Sequence, residues 1–293
     1  MNNDIKGLLI VNKPKGYTSH DIVNIIRKTL NIKRIGHTGT LDPNATGVLP
    51  VLIGIATKTS KYLVEHKKTY IAIIKLGERT DTLDQEGNII EKTTIPKLEQ
   101  KKIEDTLNSF VGKQMQTPPI YSAIKVDGKK LYEYAREGKT VKIEPREIYI
   151  YNIELISFEN DTIKFKVESS KGTYIRCLCE DIAKKLGTIG YMKELERIKV
   201  NDFSINQSIG LKDLSIENIK KNIISIEEIF NTIDKIELND RKLKLFLNGV
   251  QFKYELNDGI FRIYNNKNFI GLGIVKNNIL KRDIIVRDVE FNV

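Results

Sequence analysis

Between Gly36 and Pro50 the chain reads GHTGTLDPNATGVLP, and this stretch limits the possible folds more than any other. A turn needs only a few such residues, because Gly supplies positive φ and Pro presets the backbone. Here they continue after a turn should have closed, which predicts a long loop. Loops of that kind in compact proteins carry function more often than connection, and this one holds a single carboxylate, Asp42.

The flanks are regular. GLLIVNK predicts an apolar strand, Pro14 and Gly16 a turn, and Thr18 or Ser19 the cap of a helix with Asp21 in its first turn. Ile22, Ile25, Ile26 and Leu30 form that helix's buried stripe. Downstream, KTYIAIIKLG predicts a strand closed by the turn residues of ERTDTLDQEGN, and Pro96 opens a helix predicted to run through Phe110. DTLDQEG lacks the alternating ligands and terminal Glu of a calcium loop and is read as a solvated turn. The segment 117–146 combines a double Pro, an Asp-Gly turn, tyrosines and basic residues, as in a surface hairpin with a short helix or a mobile basic arm. REIYIYNIELISF and TIKFKVESS alternate as strands do, and SKGTYIRCLCEDIAKKLG leads from a strand into a helix.

At 293 residues the chain is near the size at which one core divides into two. Around Lys235 a polar helical pattern gives way to short β-like runs punctuated by NG, DG, NN and GLG, so residues 1–234 and 235–293 are expected to form separate domains. Hydrophobic residues at 40% with no long apolar run exclude a helical membrane protein, and GLLIV is too short for a signal peptide, which predicts a cytoplasmic protein. A net charge of +10 favours a polyanionic partner. Cys177 and Cys179 stand too close in sequence for a good disulfide and two ligands short of a metal site; packed, reduced thiols are the expectation. His20, His37 and His66 are scattered, and neither a phosphate loop nor a GxSxG elbow occurs. With no metal and no cofactor expected, chemistry has to rest on an acid, a base and positioning.

GHTGTLDPNATGVLPVLIGIATK resembles the signature loop of the TruB family of tRNA pseudouridine synthases, with Asp42 in the place of the family's aspartate. The resemblance extends, in family order, to VNKPKGYTSHDIV, KTYIAIIKLGERTDTLDQEG, QTPPIYSAIKVDGKKLYEYAREG, SKGTYIRCLCEDIAKKLG and LERIKV. It implies an α+β protein: a mixed α/β catalytic domain on a largely antiparallel sheet, followed by a small β-rich PUA-like domain. It also implies the reaction, in which uracil 55 of the tRNA T loop is flipped out, detached from C1′ and rejoined through C5.

Site roles follow from the same resemblance. Asp42 is the essential catalytic residue, as nucleophile or as base at the 2′ position, and Arg176 is its partner, a guanidinium able to hold a carboxylate in a bidentate grip. Tyr70 stacks on the base and takes part in proton transfer, while Leu195 lines the uracil pocket and Tyr174 binds substrate. His37 fills the gap left by the flipped base; Lys13 and Lys58 contact phosphates or support the site; and the segment 117–146 closes over the T loop. The loop's glycines are expected to let the backbone approach RNA closely. The implied partner is the tRNA T stem-loop, bound by a monomer that needs no second protein and that has, in addition, a tRNA folding-helper role. The rivals are an RNA-guided synthase, against which the 117–146 arm argues, and a folding helper whose catalytic residues matter little.

Overall fold

The computed structural model describes residues 5–63 and 67–286, so His66 lies outside the described residues. Strand β1 (Gly7–Lys13) is buried along nearly its whole length. Its alternation sends Leu9 and Val11 into one apolar cluster and Leu8 and Ile10 into another. Helix α1 (Ser19–Leu30) starts at Thr18, whose hydroxyl accepts from Asp21 N while the Asp21 carboxylate accepts from Thr18 N. That reciprocal cap stabilises the helix by about 1 kcal/mol. Val23, rather than Ile25, joins Ile22, Ile26 and Leu30 on the buried face.

The loop is shorter than the sequence implies. Strand β2 (Ile35–His37) and strand β3 (Thr46–Ile53) take its two ends. Pro50 therefore stands inside a strand. Its carbonyl accepts from Thr38 N at 3.0 Å, just beyond the end of β2, so its missing N–H interrupts no ladder there.

Among the described residues one ten-stranded sheet dominates. Along its main path lie Ile209–Gly210, β1, β3, the strand Gly190–Val200, β4 (Lys68–Leu76), Thr162–Ser169, Arg146–Glu159 and Gly112–Gln116. The pairing is antiparallel except at two short seams, β1 with Ile209–Gly210 and β3 with Gly190–Val200. The expected largely antiparallel sheet is what forms. One face of β4, with Tyr70, Ala72, Ile74 and Leu76, packs against the helices Gln100–Asn108 and Ile175–Lys185. The first of these helices begins four residues later than predicted, capped by Glu99. Ile95 and Leu98 pack on the core from either side of Pro96, which holds that stretch extended until the core contact is complete.

Residues after Lys235 build a five-stranded sheet in the order Lys235–Glu237, Gly259–Asn265, Asn268–Lys276, Ile279–Ile285 and Phe252–Lys253. The helix Asp240–Leu247 closes one side with Leu243 and Phe246. Leu272 and Ile284 leave that sheet to join Leu8, Ile10, Val48 and Leu52 of the large one. An ion pair from Lys61 and a hydrogen bond from Tyr62, both to Asp283, add to the junction. Among the described residues no helix is long and apolar enough to cross a membrane.

Candidate active site

Four tethers fix the Asp42 loop. Ser19 Oγ donates to Leu41 O at 3.2 Å and accepts from Leu41 N at 2.9 Å, tying the loop to the start of α1. Gly16 N and Lys13 Nζ both donate to Pro43 O at 3.0 Å. Lys13 is fully buried, and its ammonium also reaches the carbonyls of Pro14 and Tyr17. Burial pulls it down to about 8 despite the opposing pull of Asp42. Lys13 is thus a support for the loop. Finally, Arg197 donates to Gly39 O and Val48 O at 2.8 Å each.

Two glycines make that last contact possible. At Gly47, with φ +102, an added Cβ would stand 2.2 Å from Arg197 O; at Gly39, with φ +76, it would meet Arg197 Nη1 at 3.3 Å. The close approach that these glycines permit is to Arg197, from within the chain.

Asp42 faces a cavity of about 450 Å³ whose walls include Tyr70, Tyr121, Tyr132, Tyr174, Arg176, Leu195 and Arg197. The volume suits a ligand of nucleoside size. Arg176 Nε lies 3.2 Å from Asp42 Oδ2, with the arginine side chain 7% exposed and the aspartate 41%. The grip is not the bidentate one expected. Nη1 sits 3.5 Å from Asp84 Oδ2 and donates to Thr82 O, and Nη2 donates to Tyr121 O at 2.9 Å. The guanidinium is shared among three segments, which satisfies its donors inside the fold and leaves Asp42 free on one side.

Asp84 belongs to DTLDQEG, read from sequence as a solvated turn, yet it is buried. Its Oδ1 accepts from Thr82 Oγ1 at 2.6 Å and from Glu86 N at 3.0 Å, and the other oxygen faces Arg176. The turn is real, but it is folded inward by a cation supplied from the helix Ile175–Lys185. Burial pushes the Asp42 carboxyl above the usual carboxylate range and Asp84 adds to the rise, while Arg176 and Lys13 oppose it. The open part of Asp42 faces a walled cavity rather than bulk water, so the carboxyl is poorly solvated for its exposure.

Tyr70 is 7% exposed and points from β4 into the cavity. Tyr174 caps the helix Ile175–Lys185, and its backbone N–H and C=O both pair with the Gln116 side-chain amide, at 2.8 and 3.1 Å. Burial pushes its phenol upward. The structure thus brings Asp42, Tyr70, Tyr174, Arg176 and Leu195 together. Besides Lys13, buried beneath the loop, it leaves two expected residues off the cavity wall. Lys58 is exposed on the turn Gly54–Thr59, and half-buried His37 lies in β2 with Nδ1 unpartnered among the described residues. Burial, helped by Arg197 and His20, holds His37 below the ordinary histidine range. The segment 117–146 forms the hairpin Lys125–Val126 with Lys129–Lys130 and the helix Leu131–Arg136. It supplies Tyr121, Ser122, Ala123 and Tyr132 to the cavity.

Sequence reasoning missed Asp84 and Arg197. The available signal was charge: an Arg inside an apolar strand pattern, LERIKV, and an Asp in a turn that falls short of a calcium loop. Among the described residues no acidic or His/Cys cluster could hold a metal.

Comparison with known proteins identifies the family. Residues 27–175 match a family described as TruB family pseudouridylate synthase (N terminal domain), and residues 176–235 match the tRNA pseudouridylate synthase B C-terminal domain. The chain is 45% identical over 276 residues to the tRNA pseudouridine synthase B of Clostridium tetani, covering 92% of this chain and 95% of that protein. It is 43% identical over 278 residues to that of Caldanaerobacter subterraneus, covering 93% and 96%. Among solved structures it is similar to a chain of a Cbf5-Nop10-Gar1 complex, with a TM-score of 0.70 at 26% identity over 99% of this chain and 85% of that one. The same fold recurs in an H/ACA RNP bound to a substrate RNA containing 2′-deoxyuridine, at a TM-score of 0.71 and 23% identity over 96% and 85%. Family profiles spanning most of the chain and close relatives over nearly all of it lead to one conclusion: this chain belongs to the TruB family of pseudouridylate synthases.

Proposed function

We infer that this protein converts uridine 55 in the T loop of tRNA to pseudouridine. The observation that carries the inference is the pairing of Asp42 with buried Arg176 at the wall of a nucleoside-sized cavity, in a chain 45% identical to a tRNA pseudouridine synthase B. The reaction breaks the N1–C1′ bond and forms C5–C1′; C5 loses a proton and N1 gains one, so no outside reactant enters. A stacked base has to leave its loop before C1′ can be reached.

In this reading Asp42 acts as the carboxylate that attacks or deprotonates. Arg176 and Lys13 oppose the burial that disfavours its ionised form. Tyr70 offers a π-face and a hydroxyl to the flipped uracil, Leu195 an apolar wall, and Tyr174 a second phenol near the sugar. The segment 117–146 folds onto the T loop, bringing Lys125, Lys129, Lys130 and Arg136 to phosphate. Residues 1–234 form the catalytic domain and 235–293 a PUA-like RNA-binding domain. His37 enters the vacated loop, and Lys58 takes an outer phosphate. The protein works as a monomer in the cytoplasm, where tRNA is its substrate.

The test is to incubate purified protein, wild type and Asp42→Asn, with an unmodified tRNA transcript and to map pseudouridine at single-nucleotide resolution. A new pseudouridine at position 55 that requires Asp42 and nothing added is the expected result. Tight binding without modification would replace this reading with the guided or folding-helper one.

A further inference from the structure

Arg197 is 1% exposed, the largest fully buried side chain in the described structure. A buried cation normally has a carboxylate partner, because removing its charge from water costs several kcal/mol. Among the described residues no carboxylate stands within 4.0 Å of its nitrogens; its other neighbours by charge are the basic Lys13 and His37. Two carbonyls, Val48 O and Gly39 O, take its Nε and Nη2. The third polar neighbour is the Tyr70 hydroxyl, near enough to offset part of the burial that pulls the guanidinium down.

The register makes this third contact a built feature. Arg197 and Tyr70 are direct cross-strand partners in the β4 ladder, so both side chains leave the same face of the sheet, and both line the cavity. A guanidinium has only donors. Toward Arg197 the phenol oxygen can only accept, which leaves the phenol proton for another direction, and the open one is the cavity.

We propose that Arg197 is a positioning residue for the isomerisation: it holds the Tyr70 hydroxyl as a hydrogen-bond donor toward the uracil, and through Gly39 it fixes the loop that presents Asp42. This rests on the reading of Tyr70 as a group that touches the base. It explains why an unpaired charge is kept where a Met would pack at lower cost. The two functions are separable, because the loop contact uses backbone acceptors and the phenol contact uses a side chain.

The test is a double-mutant cycle on single-turnover pseudouridine formation with enzyme saturating, using Arg197→Gln, Tyr70→Phe and the pair. Arg197→Gln is expected to slow the step about a hundredfold, with tRNA dissociation constant and melting curve recorded beside it. In the Tyr70→Phe background the same change is expected to cost about tenfold at most, the remainder being the loop contact to Gly39, because the rest of the loss is shared with Tyr70. Arg197→Lys keeps a charged donor toward Tyr70 but loses the fork; it is expected to recover at least about a tenth of the wild-type rate. Equal losses in both backgrounds, or a tRNA affinity that falls as far as the rate, would overturn the proposal and leave Arg197 a loop support. Full activity of Tyr70→Phe alone would instead remove the underlying role of Tyr70. Should Arg197→Gln fail to fold, a rate for Arg197→Lys no better than that of Tyr70→Phe would overturn the proposal by itself.

Discussion

Arg176 divides one guanidinium among Asp42, Asp84 and two backbone carbonyls, so no neighbour can be changed without altering the others. Asp84 raises the Asp42 carboxyl by its charge. Removing that charge makes Asp42 ionise at lower pH, and in the proposed role of Asp42 the reaction needs the carboxylate. Asp84→Asn is therefore expected to move the acid limb of the single-turnover rate by up to about one pH unit downward. It should also reduce the plateau about tenfold, because Nη1 loses an anchor and Asp42 its fixed direction. A limb that moves upward would contradict the sign assigned to Asp84. Lys13→Met removes the donor to three carbonyls and leaves them buried, at about 1–3 kcal/mol each where water cannot enter. Urea unfolding followed by circular dichroism, suited to a chain without tryptophan, would measure that loss. At this scale, what sequence could reveal were residues inside distinctive local strings: Asp42 in TLDPN, Arg176 in GTYIR, Tyr70 in KTY. Asp84 and Arg197 acquire their roles from partners far away in the chain, and local chemistry alone marks one as turn and the other as a strand surface charge.

The elements that periodicity describes well are those with one buried face. Arg146–Glu159 and Thr162–Ser169 alternate in the structure as they do in the sequence. Where a tertiary contact sets the boundary, periodicity misplaces it: the helix after Pro96 waits for Leu98 to reach the core, and β3 extends back through Pro50 to Thr46 because Arg197 grips its start. The β3 seam with Gly190–Val200 consists of two pairs, Thr46 with Glu196 and Gly47 with Arg197. Gly47→Ala adds both a strained φ and a collision with a backbone oxygen. It is expected to destabilise the protein by about 2–4 kcal/mol and to cut activity beyond that loss by displacing the Asp42 loop. An alanine variant as stable and active as wild type would mean that the seam is not rigid.

The first strand of the second sheet begins at Lys235, and the two sheets share one apolar cluster beside their own. Removing the residues after Lys235 takes Leu272 and Ile284 away from Leu8, Ile10 and Val48. A truncated chain is therefore expected to unfold at lower urea concentration than the full one, and weaker tRNA binding by it would combine lost contacts with lost stability. Leu272→Asp in the full-length chain isolates the packing effect. It is expected to cost about 3–5 kcal/mol, read from the same unfolding curves.

The order of strands along the large sheet also has a consequence in time. β1 meets β3, made soon after it, but its other edge waits for Ile209 and Gly210, and Leu8 pairs with Ile224. Asp42 leaves the ribosome early, whereas Arg176, Leu195 and Arg197, which complete its cavity, and the segment that seals β1 all emerge in the last part of synthesis. A nascent chain that ends before Ile224 carries Asp42 with an unsealed strand edge beneath it. The cavity is walled and β1 sealed only once Ile224, of 293 residues, has emerged.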